Sequence, residues 1–167
     1  IFSHLDSWGV LDDARVLDLF AGTGALGIEA LSRGARELVA VESSAPAAAL
    51  IAQTLTALKH NRSWEHGMSA RVVKARAEKY AASASAVEPF DMVFIDPPYA
   101  FETNDCNQLL ADLASRELTS SNTVIMLERS TRSEAPTAPA NWEITDRRDY
   151  GETAVYYIEP SEPISDN

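Results

Sequence analysis

Cysteine is nearly absent from this chain: Cys106 stands alone, so no internal disulfide can form and no cysteine-based metal site can be built. The three histidines, His4, His60 and His66, show no metal-ligand spacing with one another or with Cys106, and no metal is expected. No apolar run reaches the eighteen or so residues that a membrane-spanning helix needs. No internal repeat, serine-elbow motif or signal peptide is visible. Positive charge is scarce as well. Lysine and arginine total 14 against 25 aspartates and glutamates, a net charge of −11 that argues against a general nucleic-acid binder. What remains is one domain's worth of chain, 167 residues at 46% hydrophobic content, with a cytoplasmic location as the default expectation and no membrane partner.

Two motifs carry chemistry. The apolar stretch Ala14–Phe20 reads as a buried strand running into Ala21-Gly22-Thr23-Gly24-Ala25-Leu26-Gly27 and then a helix over Ala25–Ser32 stopped by Gly34. A G-x-G-x-x-G turn in that setting permits close backbone approach to a ligand, and the following helix offers free N–H groups. A second apolar strand, Glu37–Val41, ends at Glu42, twenty residues past Gly22, the spacing at which a carboxylate meets ribose hydroxyls. By itself this pattern fits a dinucleotide or S-adenosylmethionine equally, or only a tight turn.

The second motif is Asp96-Pro97-Pro98-Tyr99, directly after the apolar run Phe90–Ile95. An amino group on a nucleobase is a weak nucleophile because its lone pair is delocalised into the ring. Asp96 and the Pro97 carbonyl can each accept one of its hydrogens and turn the lone pair out of the ring plane. The prolines fix their own φ and hold the carbonyls in one direction. Tyr99 can stack on the base. The plain alternative is a strand-ending turn with an exposed aromatic. Together the motifs favour a methyl donor beside a gripped amine, because nicotinamide chemistry has no use for the tetrapeptide. Adenine N6 and cytosine N4 on DNA remain open on motifs alone, as do a nicotinamide-dependent oxidoreductase and a donor-binding module without catalysis.

The stretch from Asp18 to Ala35, then Val41-Glu42, Asp96-Pro97-Pro98-Tyr99 and Tyr150-Gly151-Glu152-Thr153 resemble the bacterial 16S ribosomal RNA guanine-N2 methyltransferases, from Ile1 to about Glu159. The resemblance implies a Rossmann-like methyltransferase fold, a mostly parallel seven-stranded α/β sheet with a C-terminal antiparallel hairpin. It implies S-adenosylmethionine as donor, S-adenosylhomocysteine as product, and no metal. The acceptor implied is a guanine of 16S rRNA within a partly assembled 30S subunit, and a monomer is expected. Asp18 would lie near the donor's ammonium, the backbone over Phe20, Ala21, Gly22, Thr23 and Gly24, with Gly27, around its methionine part, and Glu42-Ser43 at the ribose. Arg76-Ala77 would lie near the adenine, although family members commonly carry a small polar or acidic residue where Arg76 stands, and an asparagine at Thr54. Ile1–Leu5 resembles the middle of the family's first helix, which implies that a basic, RNA-binding N-terminal extension is missing here.

The remaining pattern alternates strands and helices, which predicts a sheet covered on both faces. Helices are expected over Ile1–Trp8, Ala45–Lys59, from the end of the third strand through Ala86, and over Asn107–Ser115; strands near Ala70–Lys74 and Thr123–Leu127; a hairpin over Trp142–Asp149 and Thr153–Glu159; a surface loop over Arg129–Asn141; a disordered tail from Pro160. Glu128, ending the fifth strand, either faces the cleft or is a solvated terminus. Two groups of cations are candidates for RNA contact, Arg71, Lys74, Arg76 and Lys79, and Arg129, Arg132, Arg147 and Arg148, unless they are ordinary solvated faces.

Overall fold

The computed structural model describes residues 1–86 and 88–162. Its elements in order are α1 (Phe2–Trp8), β1 (Arg15–Asp18), α2 (Ala25–Ser32), β2 (Glu37–Glu42), α3 (Ala45–Lys59), β3 (Ser69–Lys74), α4 (Ala77–Ser83), β4 (Met92–Ile95), α5 (Thr103–Ser115), β5 (Val124–Ser130), β6 (Trp142–Tyr150) and β7 (Thr153–Pro160). The seven strands form one sheet in the order β3-β2-β1-β4-β5-β7-β6. The first five are parallel, while β7 enters antiparallel between β5 and β6. The expected seven-stranded, mostly parallel sheet with a terminal antiparallel pair is therefore what the chain forms.

Apolar residues on every position of the central strands follow from burial on both faces. Leu17, Val39, Val93, Ile125 and Leu127 pack under α4 and α5, with Tyr80, Leu109 and Leu113. Their alternates, Val16, Leu38, Met92, Phe94, Val124 and Met126, pack under α1, α2 and α3, with Leu5, Leu31, Ile51 and Leu55. The outer strand β6 is mostly exposed and reads Asp146-Arg147-Arg148-Asp149 where its edge would otherwise invite another strand.

Several boundaries differ from the sequence reading, four of them with an evident physical reason or consequence. Helix α4 stops at Ser83, where Ala84 turns extended, rather than running through Ala86. Helix α5 starts at Thr103, earlier than Asn107, because the Phe101 N–H donates to the Pro98 carbonyl and closes the preceding turn at once. Strand β5 continues to Ser130, since Glu128, Arg129 and Ser130 all find partners on β7, so the loop begins at Thr131. Pro160 is the last residue of β7, opposite Trp142, and not part of a tail; residues 163–167 of the expected tail lie outside the described residues.

Gly27 sets how closely α2 lies on the sheet. A Cβ there would stand 2.5 Å and 2.8 Å from the two Leu38 methyl carbons, and Leu38 is itself fully buried. Alanine would recover about 1 kcal/mol of helix propensity. It would also overpack a closed interface, at a cost of about 1–3 kcal/mol. Gly27→Ala should therefore lower stability by about 1 kcal/mol, and at most about 2, in urea unfolding, and adding Leu38→Ala should cost less than the two single changes together. A more stable Gly27→Ala would mean that Leu38 has room to move.

Candidate active site

All the motif residues collect at the carboxyl ends of the parallel strands. Asp18 is the last residue of β1 and is almost completely buried, at 1% exposure. The chain then turns over Leu19–Gly24, where the Ala21 N–H donates to the Val41 carbonyl (3.0 Å) and the Gly24 N–H to the Ala21 carbonyl (2.7 Å). Gly22 (φ 58°) and Gly24 (φ 82°) both adopt the left-handed backbone. A Cβ on Gly22 would meet no protein atom within 4 Å, so glycine is required there by its φ and leaves the loop surface clear. Glu42, ending β2, clamps this loop: its Oε1 accepts the Gly22 N–H (2.9 Å) and its Oε2 the Ser44 N–H (2.7 Å). Each oxygen keeps a further lone pair for a ligand. Ser43 is exposed beside it, and Ser44 caps α3 by accepting the Ala47 N–H.

The Asp96-Pro97-Pro98-Tyr99 turn follows β4, next to β1. Phe101 takes the Pro98 carbonyl, and among the described residues no backbone N–H donates to that of Pro97. Asp96 is exposed and Tyr99 is 83% exposed, with its ring free to stack. Phe20 of the glycine loop meets Phe101 edge to face, centroids 5.2 Å apart, joining the two halves of the cleft.

Strand register makes a row of acids. Asp18 pairs with Phe94, and Ile95 with Leu127, so Asp96 falls opposite Glu128 one step beyond the ladder. Asp18, Asp96 and Glu128 thus occupy alternate positions on one face of three adjacent strands. Burial first, then the Asp96 charge, pushes Asp18 up to about 7; the N–H groups of Phe20 and Gly27 pull the other way without closing a hydrogen bond, and both Asp18 oxygens lack a partner. Burial also pushes Glu128 up to about 8, helped by the neighbouring Asp96 carboxyl and its charge. Glu128 therefore faces the cleft, with Pro98, Tyr99 and Thr153 around it. Sequence alone left it undecided; counting both strands from their last apolar residues, Ile95 and Leu127, places it beside Asp96.

Arg129 is corrected. It is buried rather than offered to RNA, donating to the Phe101 carbonyl (2.8 Å) and to the Thr103 hydroxyl (3.3 Å), and so it fixes the segment that follows the tetrapeptide. Arg132, Arg147 and Arg148 pair with Glu152, Asp149 and Asp146 and form no free basic patch. Arg76 stands at the start of α4, its exposed side chain paired with Glu78, while the Ala77 side chain is buried in the core. Just before them, the Ala75 N–H donates to the Glu42 carbonyl (3.1 Å). Among the described residues no group of three or more His, Cys, Asp or Glu is placed to hold a metal, and no helix is long and apolar enough to cross a membrane.

The sheet order, the clamped glycine turn on β1 and the Asp-Pro-Pro-Tyr turn on β4 define a methyltransferase fold of the S-adenosylmethionine-dependent class. More particularly, the chain belongs to the family described as conserved hypothetical protein 95, whose model matches residues 1–159. It is 32% identical over 145 residues to ribosomal RNA small subunit methyltransferase D of Escherichia coli (strain K12), covering 87% of this chain and 68% of the relative. The solved structure of the putative methyltransferase yhhF from Escherichia coli is similar at a TM-score of 0.80 and 29% identity, covering 95% of this chain and 84% of that one. Magnesium protoporphyrin IX methyltransferase from Synechocystis PCC 6803, solved with bound SAM, shares the fold at a TM-score of 0.69 and 15% identity over 95% of this chain and 76% of that one.

A carboxyl group raised from 3.8 to about 7 by folding stabilises the fold fully below pH 4, and that contribution is lost as pH rises through 7. The ligand-free protein should therefore melt lower at pH 8 than at pH 5. Asp18→Asn should raise the pH 8 melting temperature by a few degrees, on the order of 1 kcal/mol, and flatten this slope. A lower melting temperature with the slope unchanged would show that ionised Asp18 is already satisfied.

Proposed function

We propose that this chain methylates the exocyclic N2 amine of a guanine in small-subunit ribosomal RNA, with S-adenosylmethionine as donor and a 30S assembly intermediate as substrate. The observation that carries the reading is the opposition of two prepared half-sites: a glycine turn clamped by Glu42, and an exposed Asp96 with an uncommitted Pro97 carbonyl. The named relative acts on ribosomal RNA, which favours RNA over DNA and leaves the nicotinamide alternative without support.

The donor side fits S-adenosylmethionine on its own chemistry. Asp18 is a buried carboxylate with no partner, a place for the ammonium of the donor's methionine part. Glu42 accepts the ribose hydroxyls with the lone pairs its two backbone donors leave free. Ser43 and the backbone at Arg76-Ala77 border the adenosine end. When bound, S-adenosylmethionine supplies an activated methyl group on a sulfonium sulfur. Asp96 and the Pro97 carbonyl accept the two amine hydrogens and aim the nitrogen lone pair toward that methyl. Tyr99 stacks on the base once it has left its neighbours. Asp96 need not be a strong base, because the alkylated amine is acidic enough to release its proton. Alignment supplies most of the acceleration. The net charge of −11 favours recognition by these residues of one extruded base and its surroundings over a broad phosphate footprint.

Asp96→Ala should leave S-adenosylhomocysteine affinity nearly intact while slowing single-turnover methylation by roughly two orders of magnitude, the scale of one lost preorganised partner. Wild-type speed in that variant would sink the amine-gripping role. Tyr99→Ala should act on acceptor binding, at about 1–3 kcal/mol for a lost stacking surface. Glu42→Ala should weaken the donor by about 1.5–3 kcal/mol in calorimetry; an unchanged affinity would remove Glu42 from the donor site.

A further inference from the structure

Any base amine offers two hydrogens, and Asp96 with the Pro97 carbonyl supplies the two acceptors it needs. Glu128 is a third acceptor in the same cleft, held against Asp96 by the β4–β5 register despite like charge. We infer that Glu128 accepts the ring N1–H of guanine, and so selects guanine over bases that present a bare ring nitrogen beside their amine. The inference rests on the guanine reading and deepens it.

The count of donors decides the matter. Guanine's pairing edge presents three hydrogens on two adjacent nitrogens, N1–H and the N2 amine. Adenine and cytosine present only the amine pair, next to a ring nitrogen that is itself an acceptor. Two carboxylates side by side are stable only with a proton between them or with donors inserted. Guanine inserts those donors. An ionised Glu128 then accepts N1–H while Asp96 keeps the amine, and the proton shared by the two acids leaves for solvent. The lone pair of an adenine or cytosine ring nitrogen would instead face the Glu128 charge. Protonated Glu128 would have the opposite preference, donating to that nitrogen, so its charge state sets the choice.

The groups acting on Glu128 are Asp96 after β4 and Asp18 of β1, whose charges hold its proton on, and the Tyr157 hydroxyl of β7, which senses its charge; Arg129 of β5 and Glu152 before β7 line the same cleft. Methylation of guanine should accordingly quicken as pH rises and Glu128 ionises.

The test is single-turnover methylation, at saturating S-adenosylmethionine between pH 6 and 8.5, of small-subunit particles from a strain lacking this activity. A second set of particles is reconstituted with 2-aminopurine at the mapped target, which keeps the amine and loses N1–H. Wild type should speed up with pH and level off, and should prefer guanine by about tenfold or more, the value of a hydrogen bond to a charged group. Glu128→Gln should be about tenfold or more slower on guanine at pH 8, lose the rising limb and treat the two bases nearly alike. Unchanged S-adenosylhomocysteine affinity would show that the variant is folded. A Glu128→Gln enzyme with wild-type rate, pH profile and preference would overturn the assignment and leave the guanine reading standing. Wild-type methylation of adenine or cytosine in place of guanine would overturn both.

Discussion

Repulsion among three carboxylates organises this protein. Asp18, Asp96 and Glu128 end alternate positions on one face of β1, β4 and β5, and parallel register brings them into one cleft. Left to themselves such groups would separate or fill with water. They stay because the strands beneath them are buried on both faces, through Leu17, Val93, Phe94 and Met126, none of which is measurably exposed. The core thus holds charges where solvation alone would not put them. The result is two protonated or half-protonated acids at neutral pH, at a place where a cation and a hydrogen-rich base edge are the natural partners.

The surrounding contacts serve that cleft from outside it. Glu42 uses both oxygens on backbone N–H groups, tying the loop after β1 to the turn after β2. Arg129 does the equivalent for the segment after the Asp96-Pro97-Pro98-Tyr99 turn, donating to the Phe101 carbonyl and the Thr103 hydroxyl. Gly27 lets α2 lie close enough on Leu38 that the glycine turn reaches the sheet edge. None of these side chains needs to touch a reacting atom to matter.

The sequence showed most of the fold because the central strands are continuous apolar runs and the helices between them have clear stops, so that Ala25–Ser32 and Ala45–Lys59 were readable to the residue. Boundaries failed where tertiary pairing rather than local pattern sets them. Strand β5 gains three residues from β7, and α5 starts early because of one turn hydrogen bond at Phe101. At the site, glycines and the tetrapeptide announce themselves by spacing, whereas Glu128 does not, since its meaning depends on a register between strands some thirty residues apart. Arg129 misled for the same reason: a charge next to a strand end looks like surface until the strand is seen to extend through it.

The acidic total follows from the same economy. A protein that held RNA along its phosphates would need many free cations; Arg132, Arg147 and Arg148 are each engaged with a carboxylate of their own chain and Arg129 is buried, which leaves Arg71, Lys74 and Lys79 by β3 and α4 as exposed cations with no ion pair among the described residues. Phosphate contacts carry no base information, so selectivity on the proposed substrate comes from fitting one base, where hydrogen-bond mismatches in a partly buried, charged cleft are costly. The protein gives up stability to keep that cleft ready, since Asp18 and Glu128 are both less favourable ionised in the fold than in the unfolded chain. Ligands that supply the absent positive charge and hydrogens relieve that cost, and the relief is itself a source of affinity for those ligands and not for others.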